Sequence, residues 1–147
     1  MDILKPKQQR HTMKTGTISE QACVTRLLQV GYNVLLPVGQ MHRYDLVIED
    51  ADGQLWKVQV KTGRLTKEGA TVTYSNVSQT YHYNGVGDRG GTRRQSYLGQ
   101  VDYFAIYAEE LQKVYLIPTT HATGILRLKA TKNNQEKLVR WAKDYKL

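Results

Sequence analysis

From Leu46 to Lys61, apolar and polar residues alternate on both sides of a short break at Ala51-Asp52-Gly53. Alternation of period two marks a strand with one buried face. Residues 43–50 and 54–61 therefore read as two strands of a hairpin. A three-residue turn with Gly53 in the left-handed position pairs Asp50 with Gln54, and so Asp45 with Gln59. In that register Leu46, Ile48, Trp56, Val58 and Val60 share an apolar face. Asp45, Glu49, Lys57, Gln59 and Lys61 share the other face, with Val47 and Leu55. A two-residue turn pairs Asp45 with Val60 and mixes the faces, so the hydrophobic pattern rejects it.

The pattern elsewhere predicts a helix from about Ile18 to Val30, stopped by Gly31, with Cys23, Val24, Leu27 and Leu28 as its apolar stripe. Short strands are expected at 34–36, 70–74, 101–108 and 114–117. Residues 1–14 read as a basic, loosely ordered arm, and residues 76–100 as a long surface loop. Residues 135–145 read as a basic amphipathic helix carrying Leu138, Val139 and Trp141. A helix, a run of strands and a closing helix predict an α/β fold of α+β sandwich type, a central mixed sheet flanked by helices. The length, 147 residues, suits one domain over 1–147.

Composition narrows the function classes. No run approaches the roughly 18 apolar residues of a membrane helix. The polar start is unlike a secretory signal, and the single cysteine, Cys23, leaves no partner for an intramolecular disulfide. A cytoplasmic setting is expected. Net charge is +8, and a basic excess on a small domain points to a polyanion, above all nucleic acid. A basic protein that is merely soluble has the same composition. Ten tyrosines favour an interface, since each has a flat apolar body with a polar tip. His11, His42, His82 and His121 lack zinc-ligand spacing, and no P-loop lysine follows the glycines of 85–99. Cys23 sits in the apolar stripe and reads as core.

On the polar hairpin face a carboxylate, an amide and an ammonium converge. Phosphodiester hydrolysis uses such a set: a carboxylate to hold Mg²⁺ and a lysine to polarise water and stabilise charge. A solvated hairpin face with a surface ion pair accounts for the same residues. Tyr44-Asp45, thirteen residues, then Gln59-Val60-Lys61 resembles the PD-(D/E)xK nuclease signature. The helix with Glu20, the segment GYNVLLPVG before Asp45 and the later VDYFAIY and KVYLIP extend the resemblance over roughly Thr15 to Thr119. Together they resemble the homing endonucleases of this type that are associated with group I introns.

The resemblance implies a restriction-endonuclease-like core and a Mg²⁺-dependent, site-specific endonuclease for double-stranded DNA, with Mn²⁺ as a substitute ion. It implies Asp45 as the metal-binding aspartate, Lys61 as the catalytic lysine, and Glu20 as a helix glutamate that helps hold metal. Gln59 takes the place of the second acidic residue, and the Val60 carbonyl is a further metal ligand. Tyr44 stands where the family has proline. Glu20 has a second reading, because Thr17-x-x-Glu20 also fits a capping box.

Arg89, Arg93, Arg94, Tyr81 and Tyr83 in the 76–100 loop are candidate DNA contacts, since arginine reads guanine edges and clamps phosphates. A surface loop without function is the alternative. Lys14 of the arm and Arg140 of the closing helix are candidate phosphate contacts. Asp102 opens a buried strand as a cap or strand-end partner. Cutting both strands takes two sites, so a homo-oligomer, dimer or tetramer, is expected. Two other readings stand beside this one. One is a non-catalytic DNA-binding module on a nuclease fold, prompted by Gln59. The other is a structure-specific nuclease resembling the Holliday junction resolvases.

Overall fold

The computed structural model describes residues 4–6, 11–82, 85–87, 89–130 and 136–147. Tyr83 of the expected DNA contacts lies outside them, as does most of the basic arm. Helix α1 spans Thr12–Gln29. It starts six residues before the expected Ile18. His11 is the N-cap, its ring accepting from the Met13 amide. Thr17 lies inside the helix and donates its hydroxyl to the Met13 carbonyl. Thr17-x-x-Glu20 is therefore no capping box. The end is as expected: Gly31 has φ +107°, Gly31 N–H donates to Leu28, and Tyr32 N–H donates to Leu27. That pair of bonds satisfies the last carbonyls in a Schellman motif.

Strands follow at β1 (Asn33–Leu35), β2 (Leu46–Glu49), β3 (Leu55–Leu65), β4 (Thr71–Thr73), β5 (Val77–His82), β6 (Gly91–Ser96), β7 (Tyr103–Ala108), β8 (Lys113–Pro118) and β9 (Ile125–Arg127). The long β3 organises them. It pairs antiparallel with β2 over Leu55–Val58 on one side and parallel with β7 over Val58–Gly63 on the other. Its far end pairs with β4, which continues to β9, while β7 carries β8. The result is a mixed seven-stranded sheet, with β5 and β6 apart as a two-stranded hairpin. The hairpin β2–β3 has the expected register, Leu46 opposite Val58 and Glu49 opposite Leu55. Its turn is set by Gly53 at φ +77° and by Asp50. The Asp50 carboxylate accepts from the amides of Asp52 and Gln54 and from the Trp56 indole.

Helix α1 covers one sheet face. Cys23 and Leu27 pack there on Leu46, Ile48, Val58, Val60 and Ala105. The other face buries Phe104, Ile106, Tyr115, Ile117, Val72, Leu126 and Tyr97. No second helix covers that face among the described residues. The expected helix at 135–145 is replaced by a short 3₁₀ turn at Ala142–Asp144. The chain there pairs with the open edge of β8: Leu116 N–H donates to Tyr145, and Leu147 N–H donates to Val114. An edge strand offers a row of unpaired backbone groups, and this segment takes them. The expected 76–100 loop likewise contains β5 and β6.

Gly63 lies where β3 passes between layers. A Cβ there would stand 2.7 Å from Val72 Cγ1 and 2.9 Å from Ile106 Cγ2. Overpacking of this kind costs about 1–3 kcal/mol. Gly63→Ala is expected to lower unfolding free energy by that amount in denaturant titration. Unchanged stability would show that the two branched side chains give way freely.

Candidate active site

The register that buries Leu46 and Val58 also fixes what stands one step outward. The Asp45 amide donates to the Val58 carbonyl at 2.9 Å, so Asp45 is the last residue held by the hairpin ladder before the chain turns away. Its Oδ2 accepts from the Val60 N–H at 2.7 Å. In a strand, one residue's N–H and C=O point to the same side. The Val60 carbonyl therefore projects to the side on which Asp45 sits, past the end of β2.

Glu20 approaches from α1. The buried stripe of that helix runs Ser19, Cys23, Leu27; of the expected stripe, Cys23 and Leu27 are buried, Val24 is half-buried and Leu28 is exposed. Ser19 is buried and satisfied: its hydroxyl donates to the Thr15 carbonyl and bonds the Thr62 hydroxyl at 2.7 Å, pinning the helix to β3. Glu20 is exposed at the helix–sheet junction rather than buried in the stripe. Glu20, His42, Tyr44 and Asp45 line a groove of about 600 Å³ between α1 and the segment before β2.

The electrostatics follow from this placement. Partial burial raises the Glu20 pKa, and the Asp45 charge raises it further. Burial raises that of Asp45, partly offset by the Val60 N–H bond and by the charge of Lys61. A carboxylate whose ionisation is disfavoured by a neighbouring carboxylate, as Glu20 is by Asp45, is one that a divalent cation would relieve. Among the described residues no group of three or more His, Cys, Asp or Glu has metal-binding geometry. Glu20 and Asp45 are the two carboxylates that could donate to a cation here, beside the Val60 carbonyl, while Gln59 alternates with Val58 and Val60 to the sheet face away from α1. That set fits a hard cation that keeps part of its water shell.

A raised carboxyl pKa has a defined sign. The folded state holds the proton more tightly than the unfolded chain, so stability is highest below the unfolded pKa and falls as pH rises through the folded one. Glu20→Gln removes that loss. It is expected to raise Tm at pH 7, with the gain vanishing below about pH 4, where the carboxyl is neutral in both states. Thermal melts at the two pH values check this; a lower Tm at pH 7 would contradict it.

Lys61 and Gln59 lie on β3 and are half-buried. The Lys61 ammonium donates to the Tyr97 hydroxyl at 3.2 Å and lies 4.4 Å from that ring's centroid. Sequence reasoning missed this partner, and it missed Arg43, whose guanidinium stacks 4.1 Å from the same ring. Their separation along the chain hides them; the aromatic at 97 was visible only as one tyrosine among several. Cys23 is core: burial pushes its thiol up to about 12, and the charges of Asp45 and Glu20 add to the effect. Asp102 is a strand-end partner, its carboxylate accepting from the Lys57 N–H at 2.8 Å.

The remaining candidates lie away from this cluster. Arg89 is exposed beside the β5–β6 hairpin, and Arg93 and Arg94 are exposed on β6. Tyr81 on β5 is 67% exposed and stands opposite Thr92, on the hairpin face that also carries Arg94. Lys14 is exposed on the first turn of α1. Arg140 is half-buried, and its Nε donates to the His121 carbonyl at 2.9 Å, tying the last segment to the turn after β8.

No helix among the described residues is long and apolar enough to cross a membrane. No curated protein matches the chain. The structure of a bacterial homing endonuclease, I-Ssp6803I, is similar at 30% sequence identity with a TM-score of 0.66, over 93% of this chain and 89% of that one. A family model described as PD-(D/E)XK endonuclease matches residues 10–147. The chain belongs to the PD-(D/E)XK endonuclease family.

Proposed function

We propose that the protein is a Mg²⁺-dependent, site-specific endonuclease that hydrolyses phosphodiester bonds in double-stranded DNA, acting as a homo-oligomer in the manner of a homing endonuclease. The observation that carries this reading is Asp45. It is fixed at the end of the hairpin ladder on the Val60 N–H, faces Glu20 across the groove, and feels the charge of Lys61. In the proposal Asp45, Glu20 and the Val60 carbonyl hold the cation, with Gln59 as a neutral neighbour. Bound Mg²⁺, or Mn²⁺ in its place, supplies Lewis acidity toward water and the scissile phosphate. Lys61 orients the attacking water and offsets charge developing on phosphate oxygens. Two strands need two such sites, hence a dimer or tetramer. The name of I-Ssp6803I supports homing as the context.

The net charge of +8 suits a DNA partner. The β5–β6 hairpin is the proposed reading element, a two-stranded ribbon of the width a major groove admits. Arg93 and Arg94 lie on its opposite faces, so one of them faces bases when the other faces phosphate or solvent. A bidentate arginine–guanine contact discriminates by about 1–3 kcal/mol. At least one of Arg89→Ala, Arg93→Ala and Arg94→Ala is expected to relax base preference, read as the ratio of affinities for target and random DNA. Equal loss on both DNAs for all three would assign them to phosphates.

Gln59 favours a second reading, a DNA-binding module without activity, because the amide brings no charge to the site. Incubation with duplex DNA and Mg²⁺ or Mn²⁺ separates the two. Cutting that EDTA stops is the expected result; binding without cutting in either ion would leave only the module.

A further inference from the structure

A catalytic lysine on a flexible four-carbon stem has to be held at one place, and holding it costs rotamer entropy. In this chain the holding group is Tyr97. Its hydroxyl accepts from the Lys61 ammonium at 3.2 Å, and its ring centroid is 4.4 Å away. A phenol offers the cation both an oxygen lone pair and the negative face of the ring. Tyr97 is itself fixed: it is 6% exposed, packs edge-on to Phe104 at 5.5 Å and 90°, and its carbonyl accepts from the Gln100 and Val101 amides.

Arg43 holds the same ring. Its guanidinium carbon lies 4.1 Å from the ring centroid. Its fork donates to Gln100 Oε1 at 2.6 Å, to Ser78 Oγ at 2.8 Å and to the Ser96 carbonyl at 3.1 Å. Ser78 lies on β5 and Ser96 ends β6, so Arg43 joins the β5–β6 hairpin to the ring on which Lys61 rests. Arg43 itself stands two residues before Asp45. Lys61 and the hairpin are thus linked through one aromatic ring.

We propose that Tyr97 is the positioning residue for Lys61 in phosphodiester cleavage, and that Arg43, stacked on the same ring, ties that position to the β5–β6 hairpin. The inference rests on the nuclease reading above and adds to it a physical link between the DNA-reading ribbon and the reacting centre. Neither residue touches phosphate in this account; both act through Lys61.

The test is a pair of double-mutant cycles, read as single-turnover cleavage rates so that slow cutting by Lys61→Ala remains measurable. Tyr97→Phe keeps the ring and removes the acceptor. Arg43→Lys keeps the charge and removes the fork. Each is made in the wild-type and Lys61→Ala backgrounds, with DNA affinity in Ca²⁺ and Tm measured alongside. Tyr97→Phe is expected to slow cutting about tenfold or more, the size of a hydrogen bond to a charged group, while affinity stays within twofold or so. In the Lys61→Ala background the same change is expected to have almost no effect, because the group it positions is gone. Arg43→Lys is expected to follow the same pattern. An unchanged rate for Tyr97→Phe in the wild type, or equal losses in both backgrounds, would overturn the proposal and leave both residues structural. Because the wild type cuts DNA in that outcome, it is distinct from failure of the nuclease reading, in which nothing cuts.

Discussion

Asp45→Asn is expected to reduce Mg²⁺-dependent cleavage to background while DNA binding in Ca²⁺ survives. The amide keeps an oxygen for the Val60 N–H, so the local backbone bond need not be lost. What disappears is charge. Glu20 is then the one carboxylate left of the two that face each other across the groove, and it is exposed. Gln59 adds none. A hard cation is held chiefly by anionic oxygen, so one exposed carboxylate does not retain it at working concentrations. In the proposed function duplex binding relies on basic residues elsewhere, and loss of a negative group near phosphate would favour it. Filter binding in Ca²⁺ with cleavage in Mg²⁺ reads both halves. Retained cutting at a rate within tenfold or so of wild type would move the metal-holding role away from Asp45. Because burial raises the Asp45 pKa, the same variant is expected to be more stable than wild type at pH 7 without metal, with the gain lost in acid.

Lys61→Ala is expected to slow cutting by on the order of 10² or more, the loss that follows when one preorganised electrostatic group is removed. Its effect on affinity is within several-fold, because its ammonium is engaged with Tyr97 in the free protein and offers little to docking. Lys61→Arg is a sharper probe. A planar guanidinium is longer and does not reproduce a point charge, so it is expected to restore affinity fully and rate poorly. Equal loss of binding and rate in Lys61→Ala would make the residue a phosphate anchor.

The hairpin was legible in the sequence because burial enforces period two. Once Leu46, Ile48, Val58 and Val60 must face one core, the register of β2 on β3 is fixed, although the ladder stops at Leu46 and the expected Asp45–Gln59 pair gives way to a bond from the Asp45 N–H to the Val58 carbonyl. The helix stop was legible for a similar reason, since Gly31 accepts φ +107° at no steric cost. The helix start was not, because His11 caps through a ring nitrogen rather than the usual short hydroxyl or carboxylate. The β5–β6 hairpin was hidden because Ser78, Gln79, Thr80 and Arg93, Arg94, Gln95 carry no apolar alternation to reveal a strand. Its register is set by backbone bonding and by Arg43. The closing segment misled in the opposite way. Leu138, Val139 and Trp141 among basic residues look helical, but the vacant edge of β8 binds the chain beyond them as an extended segment. Of the candidate site, the hairpin residues were legible. The Tyr97 support was not, since it joins positions 36 residues apart. Glu20 was found by resemblance, since an exposed helix position carries no periodic signal.

In the proposed function this chain cuts DNA at a chosen sequence with chemistry supplied at the β2–β3 hairpin. The most direct measurement incubates the full chain with a complex duplex library and Mg²⁺, then sequences every new end, with Asp45→Asn and EDTA run in parallel. The account predicts ends that accumulate at one recurrent sequence on both strands, present only with wild-type protein and metal. Ends that are equally abundant with Asp45→Asn, or a library that is bound but left intact in Mg²⁺ and Mn²⁺, would contradict it.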